Sequence, residues 1–134
     1  MREPFLADAA LRNDIHAILG GISNRLGCPP IRVGGWVDHV HVLCRFSKSL
    51  EVEDFMRVLK VDSSKWVKER APKLQTFRWQ SGYSGFSVGP ERMDSLAEYI
   101  LNQEAHHRAE SSQDELRRLL QEHCVEYDER YLWD

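Results

Sequence analysis

Two histidines in one short stretch are the side chains of this chain best placed to do chemistry. His39 and His41 lie in residues 37–43 (VDHVHVL), where they alternate with Val40 and Val42. Side chains two positions apart in a strand point to the same face, so this spacing predicts two imidazoles side by side. Neutral imidazoles are common ligands of divalent metals. The triplet alone is equally typical of two half-exposed strand histidines, because short motifs recur by chance.

A tyrosine and a glutamine further along the chain supply the groups that would complete such a site. Apolar spacing predicts a helix over residues 91–108, and Tyr99 and Gln103 are four positions apart on it, so they share one face. Two imidazoles and an amide oxygen can hold a divalent ion and leave positions open for a phosphate. A tyrosine one turn away could attack that phosphorus as a covalent nucleophile. Taken singly, each residue is also typical of an ordinary amphipathic helix.

Two further stretches carry groups suited to nucleic acid. The second predicted helix has a basic polar side, and residues 77–88 are aromatic, glycine-punctuated and β-like. Lysine and arginine contact phosphates, and aromatic rings beside arginine stack on unpaired bases. The alternative is a solvated helix face and aromatic rings that fill the core. The candidate nucleic-acid contacts are Arg57, Lys60, Lys65, Arg78 and Tyr83.

Composition limits the class of protein. A chain of 134 residues, 42% hydrophobic with four tryptophans, predicts one globular domain spanning residues 1–134. Its apolar runs are too short for a membrane span. The net charge of -3 argues against a generally basic nucleic-acid-binding protein but allows a local basic patch. Three cysteines without CxxC spacing are typical of reduced thiols, which predicts a cytoplasmic protein.

The order of predicted elements is helix, strand, strand, helix, strand, helix, helix. This order predicts an α+β fold, an antiparallel sheet with helices on one face and extra C-terminal helices that carry the tyrosine. The ferredoxin-like split βαβ arrangement is the nearest match, with its first strand missing. The last helix is predicted to begin with a capping box formed by Ser112 and Glu115.

Several motifs, in their order and spacing, resemble one known family. The chain is similar to the single-tyrosine HUH transposases of the insertion-sequence two-hundred/six-hundred-and-five family, whose relatives include REP-associated tyrosine transposases. The resemblance covers nearly the whole chain. The motifs that carry it are residues 37–43 (VDHVHVL), 79–83 (WQSGY), 86–89 (FSVG), 99–103 (YILNQ) and 126–134 (EYDERYLWD).

The resemblance implies a metal-dependent endonuclease and strand transferase that acts on single-stranded DNA with hairpins. It implies that His39, His41 and Gln103 bind magnesium or manganese. It implies that Tyr99 is the nucleophile, which forms a 5′-phosphotyrosine and frees a 3′-hydroxyl. It also implies a homodimer, in which the tyrosine helix serves either its own site or that of the partner.

One departure from the family pattern leaves other functions open. Members normally carry a strand before the segment matching residues 2–6 (REPFL), so we expect either a start further upstream or a decayed copy. A decayed or domesticated domain would bind single-stranded DNA hairpins without turnover. A metal hydrolase could instead use His39 and His41 with His106 or His107. Replacing the tyrosine with phenylalanine distinguishes these, because only the transposase needs it.

Overall fold

The computed structural model describes residues 4–103 and 111–122, which form an α+β arrangement of two strands and four α-helices. The α+β class predicted from the sequence is confirmed. Two short 3-10 turns, Pro72–Leu74 and Pro90–Arg92, connect the longer elements. In chain order, these longer elements are α1 (Ala9–Arg25), β1 (Pro30–Gly35), β2 (Val40–Cys44), α2 (Val52–Arg70), α3 (Met93–Leu101) and α4 (Ser112–Glu122).

Helix α1 begins and ends where its sequence signals indicate. The Asp8 carboxylate accepts hydrogen bonds from the backbone N–H groups of Ala10 at 2.9 Å and Leu11 at 3.2 Å, as an N-cap does. Past the other end, Gly27 has a φ of +80°, which a residue without a Cβ adopts at little cost. The helix is therefore fixed at both ends before the chain enters β1.

Strands β1 and β2 form an antiparallel hairpin with one apolar and one polar face. Val33 pairs with Val42, and Gly34 pairs with His41. Because alternate residues point to opposite faces, the valines share one face and His41 lies on the other. The sequence pattern predicts strands over residues 31–36 and 39–46; β1 has the predicted length but begins one residue earlier, and β2 is shorter than predicted.

The apolar face of the hairpin packs on the core formed with α1 and α2. Val33, Val40 and Cys44 contact this core from the sheet. The buried members of the core come from both helices and from the loops beside them. They are Leu6, Ile15, Leu19, Ile22, Cys28, Phe55, Leu59, Val67 and Phe77.

Helix α3 crosses the opposite face of the hairpin, and a glycine allows its close approach. A Cβ at Gly34 would lie 2.6 Å from the carbonyl oxygen of Ile100 and 2.8 Å from its Cγ2. Only a residue without a side chain fits there. Gly34 thus allows a close backbone contact that brings α3 onto the histidine face.

The prediction of a β-like segment over residues 77–88 is wrong, because the structure shows no strand there. Two of its aromatic side chains, Phe77 and Trp79, pack on the core. Phe77 is buried, and Trp79 packs on the same core while its Nε1–H donates to Ser63 Oγ at 2.9 Å. The β-like composition of this segment therefore reflects core packing rather than strand pairing.

None of the helices in the described part of the chain is both long and apolar enough to span a membrane.

Candidate metal and nucleophile site

The two histidines of the hairpin lie side by side on its polar face. The ring centroids of His39 and His41 are 5.0 Å apart, and their planes are inclined by 78°. His39 is only 8% exposed, whereas the side chain of His41 is 23% exposed. The strand spacing therefore places both imidazoles where they can share one ligand.

Tyr99 approaches the histidines from α3, and Gln103 approaches them from just beyond it. The helix ends at Leu101, and Gln103 follows its C-cap, Asn102. The predicted continuation over residues 104–108 lies outside the described residues. The Gln103 Nε2 donates to the backbone oxygen of Tyr99 at 3.2 Å, which turns Oε1 toward His39. That Oε1 lies 3.0 Å from His39 Nε2, and the glutamine is 1% exposed.

Glu115 of α4 completes the cluster, and the sequence motifs did not identify it. Its Oε1 lies 2.7 Å from His41 Nε2 and 3.4 Å from His39 Nε2. Its Oε2 accepts a hydrogen bond from the Tyr99 hydroxyl. The ligand atoms of His39, His41 and Glu115 all lie within 4.8 Å of one another. One carboxylate thus contacts both imidazoles and the phenol.

The predicted capping box explains why Glu115 was missed. The helix begins at Ser112, and the residue before it acts as the cap: Ser111 Oγ accepts from the Asp114 N–H at 3.1 Å. The side chain of Glu115 lies within the cluster and is 2% exposed. A capping-box pattern and a buried ligand carboxylate look identical in one sequence.

Asp38 orients His39 from the other side of the ring. Its Oδ1 lies 2.8 Å from His39 Nδ1, while Nε2 of the same ring faces the oxygens of Gln103 and Glu115. A neutral imidazole has only one N–H. Either a second ring proton or a cation shared with those oxygens must therefore satisfy the remaining nitrogen. A carboxylate on one nitrogen and ligand oxygens around the other are typical of metal-binding histidines.

The donor set fits a divalent ion. It combines two imidazole nitrogens, an amide oxygen and a carboxylate oxygen, which are all groups that can bind a divalent ion. These four side chains converge from β2, the turn before it, the residue after the C-cap of α3, and α4, so together they could hold a cation.

The ionisation of Glu115 and Tyr99 follows from their contacts. Burial alone raises the pKa of Glu115, but the hydrogen bond and charge of His41, together with the Tyr99 hydrogen bond and the charge of His39, lower the pKa to about 2. Burial, the hydrogen bond to Glu115 and the charge of that carboxylate raise the pKa of Tyr99 well above its ordinary value. Arg118 opposes this rise, since its Nη2 donates to the Tyr99 hydroxyl at 2.8 Å. In this arrangement the carboxylate is ionised and the phenol is protonated.

The predicted DNA contacts divide into one structural residue and four exposed ones. Lys60 Nζ donates to the carbonyl oxygens of residues 80, 81 and 82, at 2.7, 3.2 and 2.9 Å, and lies 5.9 Å from the centroid of the Tyr83 ring. Its ammonium therefore fixes the backbone of residues 80–82. Arg57, Lys65 and Arg78 are exposed, and Tyr83 is 46% exposed.

Residues 126–134 and the histidines at positions 106 and 107 lie outside the described residues. The hydrolase alternative that uses His106 or His107 therefore stays a prediction.

Comparison with known proteins identifies the family to which this chain belongs. Residues 1–103 match the family described as Transposase IS200 like, and the chain belongs to this family. One similar solved structure is that of a protein from Deinococcus radiodurans R1, provisionally named a transposase. It is 23% identical, with a TM-score of 0.59, over 75% of this chain and 80% of the other, and this likeness concerns the fold. None of the curated proteins matches the sequence significantly.

Proposed function

We propose that this IS200-like transposase cuts and rejoins single-stranded DNA, with Tyr99 as its nucleophile and a divalent ion held by His39, His41 and Gln103. One observation carries the proposal: the Tyr99 hydroxyl and the donor atoms of both histidines meet at the same carboxylate, Glu115. A nucleophile and a metal-ligand set that share a contact are positioned to act on one phosphate.

The proposed reaction is a transesterification at a phosphodiester. The Tyr99 oxygen attacks the phosphorus, the bond between phosphorus and the 3′ oxygen breaks, and a 5′-phosphotyrosine remains on the protein. The phenol loses its proton, and the departing oxygen takes one up to become a 3′-hydroxyl. Attack by a 3′-hydroxyl on the phosphotyrosine reverses these steps and rejoins DNA. A bound magnesium or manganese ion would polarise the phosphate and stabilise the departing oxygen.

The side chains around Tyr99 suit this reaction. Arg118 donates to the hydroxyl that attacks, so its guanidinium is placed to lower the pKa of the phenol and to attract a phosphate. Gln103 holds the backbone oxygen of Tyr99 as well as facing His39, which ties the nucleophile to the ligand set.

We further propose that the substrate is a DNA hairpin with unpaired flanks and that the enzyme is a cytoplasmic homodimer of single-domain chains. The exposed Arg57, Lys65, Arg78 and Tyr83 supply phosphate and base contacts. Fluorescence anisotropy should show tighter binding to such a hairpin than to a matched duplex, and weaker binding as salt rises. Equal or better binding to duplex would contradict this choice of substrate.

The decisive test is a covalent adduct. Purified protein is incubated with Mn²⁺ and labelled single-stranded ends of its own genomic locus, then run on a denaturing gel. We expect a labelled protein band from wild type and none from Tyr99→Phe. Tyr127→Phe makes the same change at another tyrosine of the chain and controls for the substitution itself. A band that persists in Tyr99→Phe would exclude the tyrosine mechanism.

A further inference from the structure

We infer that Glu115 is a fourth ligand of the divalent ion and that its second oxygen holds the Tyr99 hydroxyl beside that ion. The inference rests on the proposed metal site and adds to it a residue from α4. It would make one carboxylate the physical link between the metal and the nucleophile.

The burial of the Glu115 carboxylate and its partners support its role as a metal ligand. Glu115 is 2% exposed, and a buried carboxylate is strongly unfavourable unless charged or hydrogen-bonding partners compensate. Its partners at Oε1 are His41 Nε2 at 2.7 Å and His39 Nε2 at 3.4 Å, which are the nitrogens that would bind a metal. An oxygen this close to both nitrogens needs only a small shift to share a cation with them.

Charge supports the same role. Two histidines and a glutamine are neutral ligands, so they leave the charge of a divalent ion uncompensated. The carboxylate of Glu115 offsets part of it, and carboxylate oxygens are favoured ligands of magnesium and manganese. Asp38 cannot substitute directly, because its carboxylate already contacts His39 Nδ1, the nitrogen on the other side of the ring.

The second oxygen of Glu115 supports the proposed link between the metal and Tyr99. Glu115 Oε2 accepts the Tyr99 hydroxyl, so Oε1 can bind metal while Oε2 keeps the phenol in place. A metal drawing electron density from the carboxylate weakens Oε2 as an acceptor. Metal binding should therefore weaken the hydrogen bond that the Tyr99 hydroxyl donates to Glu115 Oε2.

Calorimetric titration with Mn²⁺, in the absence of DNA, tests the ligand. Glu115→Gln keeps the size of the side chain and removes its charge, and we expect it to weaken Mn²⁺ binding by about tenfold or more. Asp114→Asn removes the same charge from the neighbouring, exposed residue of α4 and should bind like wild type. Wild-type affinity in Glu115→Gln would overturn the inference.

A measurement on the unmutated site covers the case in which Glu115→Gln does not fold. Protein labelled with 3-fluorotyrosine is titrated with Mg²⁺ and followed by fluorine NMR, with Tyr99→Phe assigning the resonance. We expect the Tyr99 signal to shift at saturating Mg²⁺, and an unchanged signal would overturn the inference. If wild type bound no Mn²⁺, the proposed metal site itself would fail. If wild type bound Mn²⁺ and Glu115→Gln matched it, only the role of Glu115 would fail.

Discussion

At the scale of single residues, the site depends on hydrogen bonds that fix which atom of each side chain faces the centre. Gln103 points its oxygen at His39 because its nitrogen is bound to the Tyr99 backbone. His39 presents Nε2 because Asp38 faces Nδ1. Neither orientation is visible in the sequence, although the residue types and spacing of the histidines are.

The Asp38 contact leads to a prediction about metal affinity. Removing the carboxylate in Asp38→Ala frees the His39 ring to rotate and makes Nε2 a poorer ligand, so Mn²⁺ affinity should fall by about 10- to 100-fold. Calorimetry measures the loss. Asp62→Asn, which alters an exposed carboxylate paired with Arg25, should leave Mn²⁺ affinity unchanged. A loss of the same size in both variants would indicate a general charge effect rather than orientation of His39.

At the scale of elements, the contact between β1 and α3 places Tyr99 and Gln103 over the histidines. Gly34→Ala would put a Cβ 2.6 Å from the Ile100 carbonyl oxygen. This oxygen belongs to the backbone of α3, so it cannot move aside as easily as the end of a flexible side chain. We expect the free energy of unfolding to fall by about 1–3 kcal/mol. Mn²⁺ affinity should also fall, since α3 must move away from the hairpin. Denaturant melts and calorimetry measure the two effects.

A second glycine serves as the matched control. A Cβ at Gly21, within α1, would meet nothing within 4 Å. Because alanine favours a helix interior, Gly21→Ala should stabilise the protein by about 0.5–1 kcal/mol and leave Mn²⁺ affinity as in wild type. Equal destabilisation by both alanines would show that the β1–α3 contact is not specific to Gly34.

Local signals in the sequence predicted elements better than the contacts between them. Asp8 and Gly27 mark the ends of α1, and Gly34 marks a close approach, because each acts on its own backbone or on one neighbour. The β-like interpretation of residues 77–88 failed because aromatic residues favour both strands and cores, and the core partners of Phe77 and Trp79 are distant in sequence. Glu115 escaped notice for the same reason, since its partners in β2 and α3 are remote in sequence.

At the scale of the whole molecule, the described part of one chain brings together the proposed nucleophile and all the proposed metal ligands. Tyr99 and His41 have ring centroids 6.3 Å apart, and both contact Glu115 of the same chain. A homodimer is compatible with this arrangement, and the two strands of the described sheet offer edges to a second copy. In this arrangement, the tyrosine beside the histidines belongs to the same chain.

This completeness predicts that Tyr99 acts on the site of its own chain. Equal amounts of Tyr99→Phe and of a variant with both His39→Ala and His41→Ala are mixed, allowed to exchange subunits, and assayed for the covalent DNA adduct. Light scattering before and after mixing reports whether dimers are present. In the arrangement seen here, no chain in the mixture carries both a nucleophile and its ligand histidines, so we expect no more adduct than from either variant alone. Adduct formed only in the mixture would mean that the tyrosine serves the partner's site, since a mixed dimer then holds one intact combination.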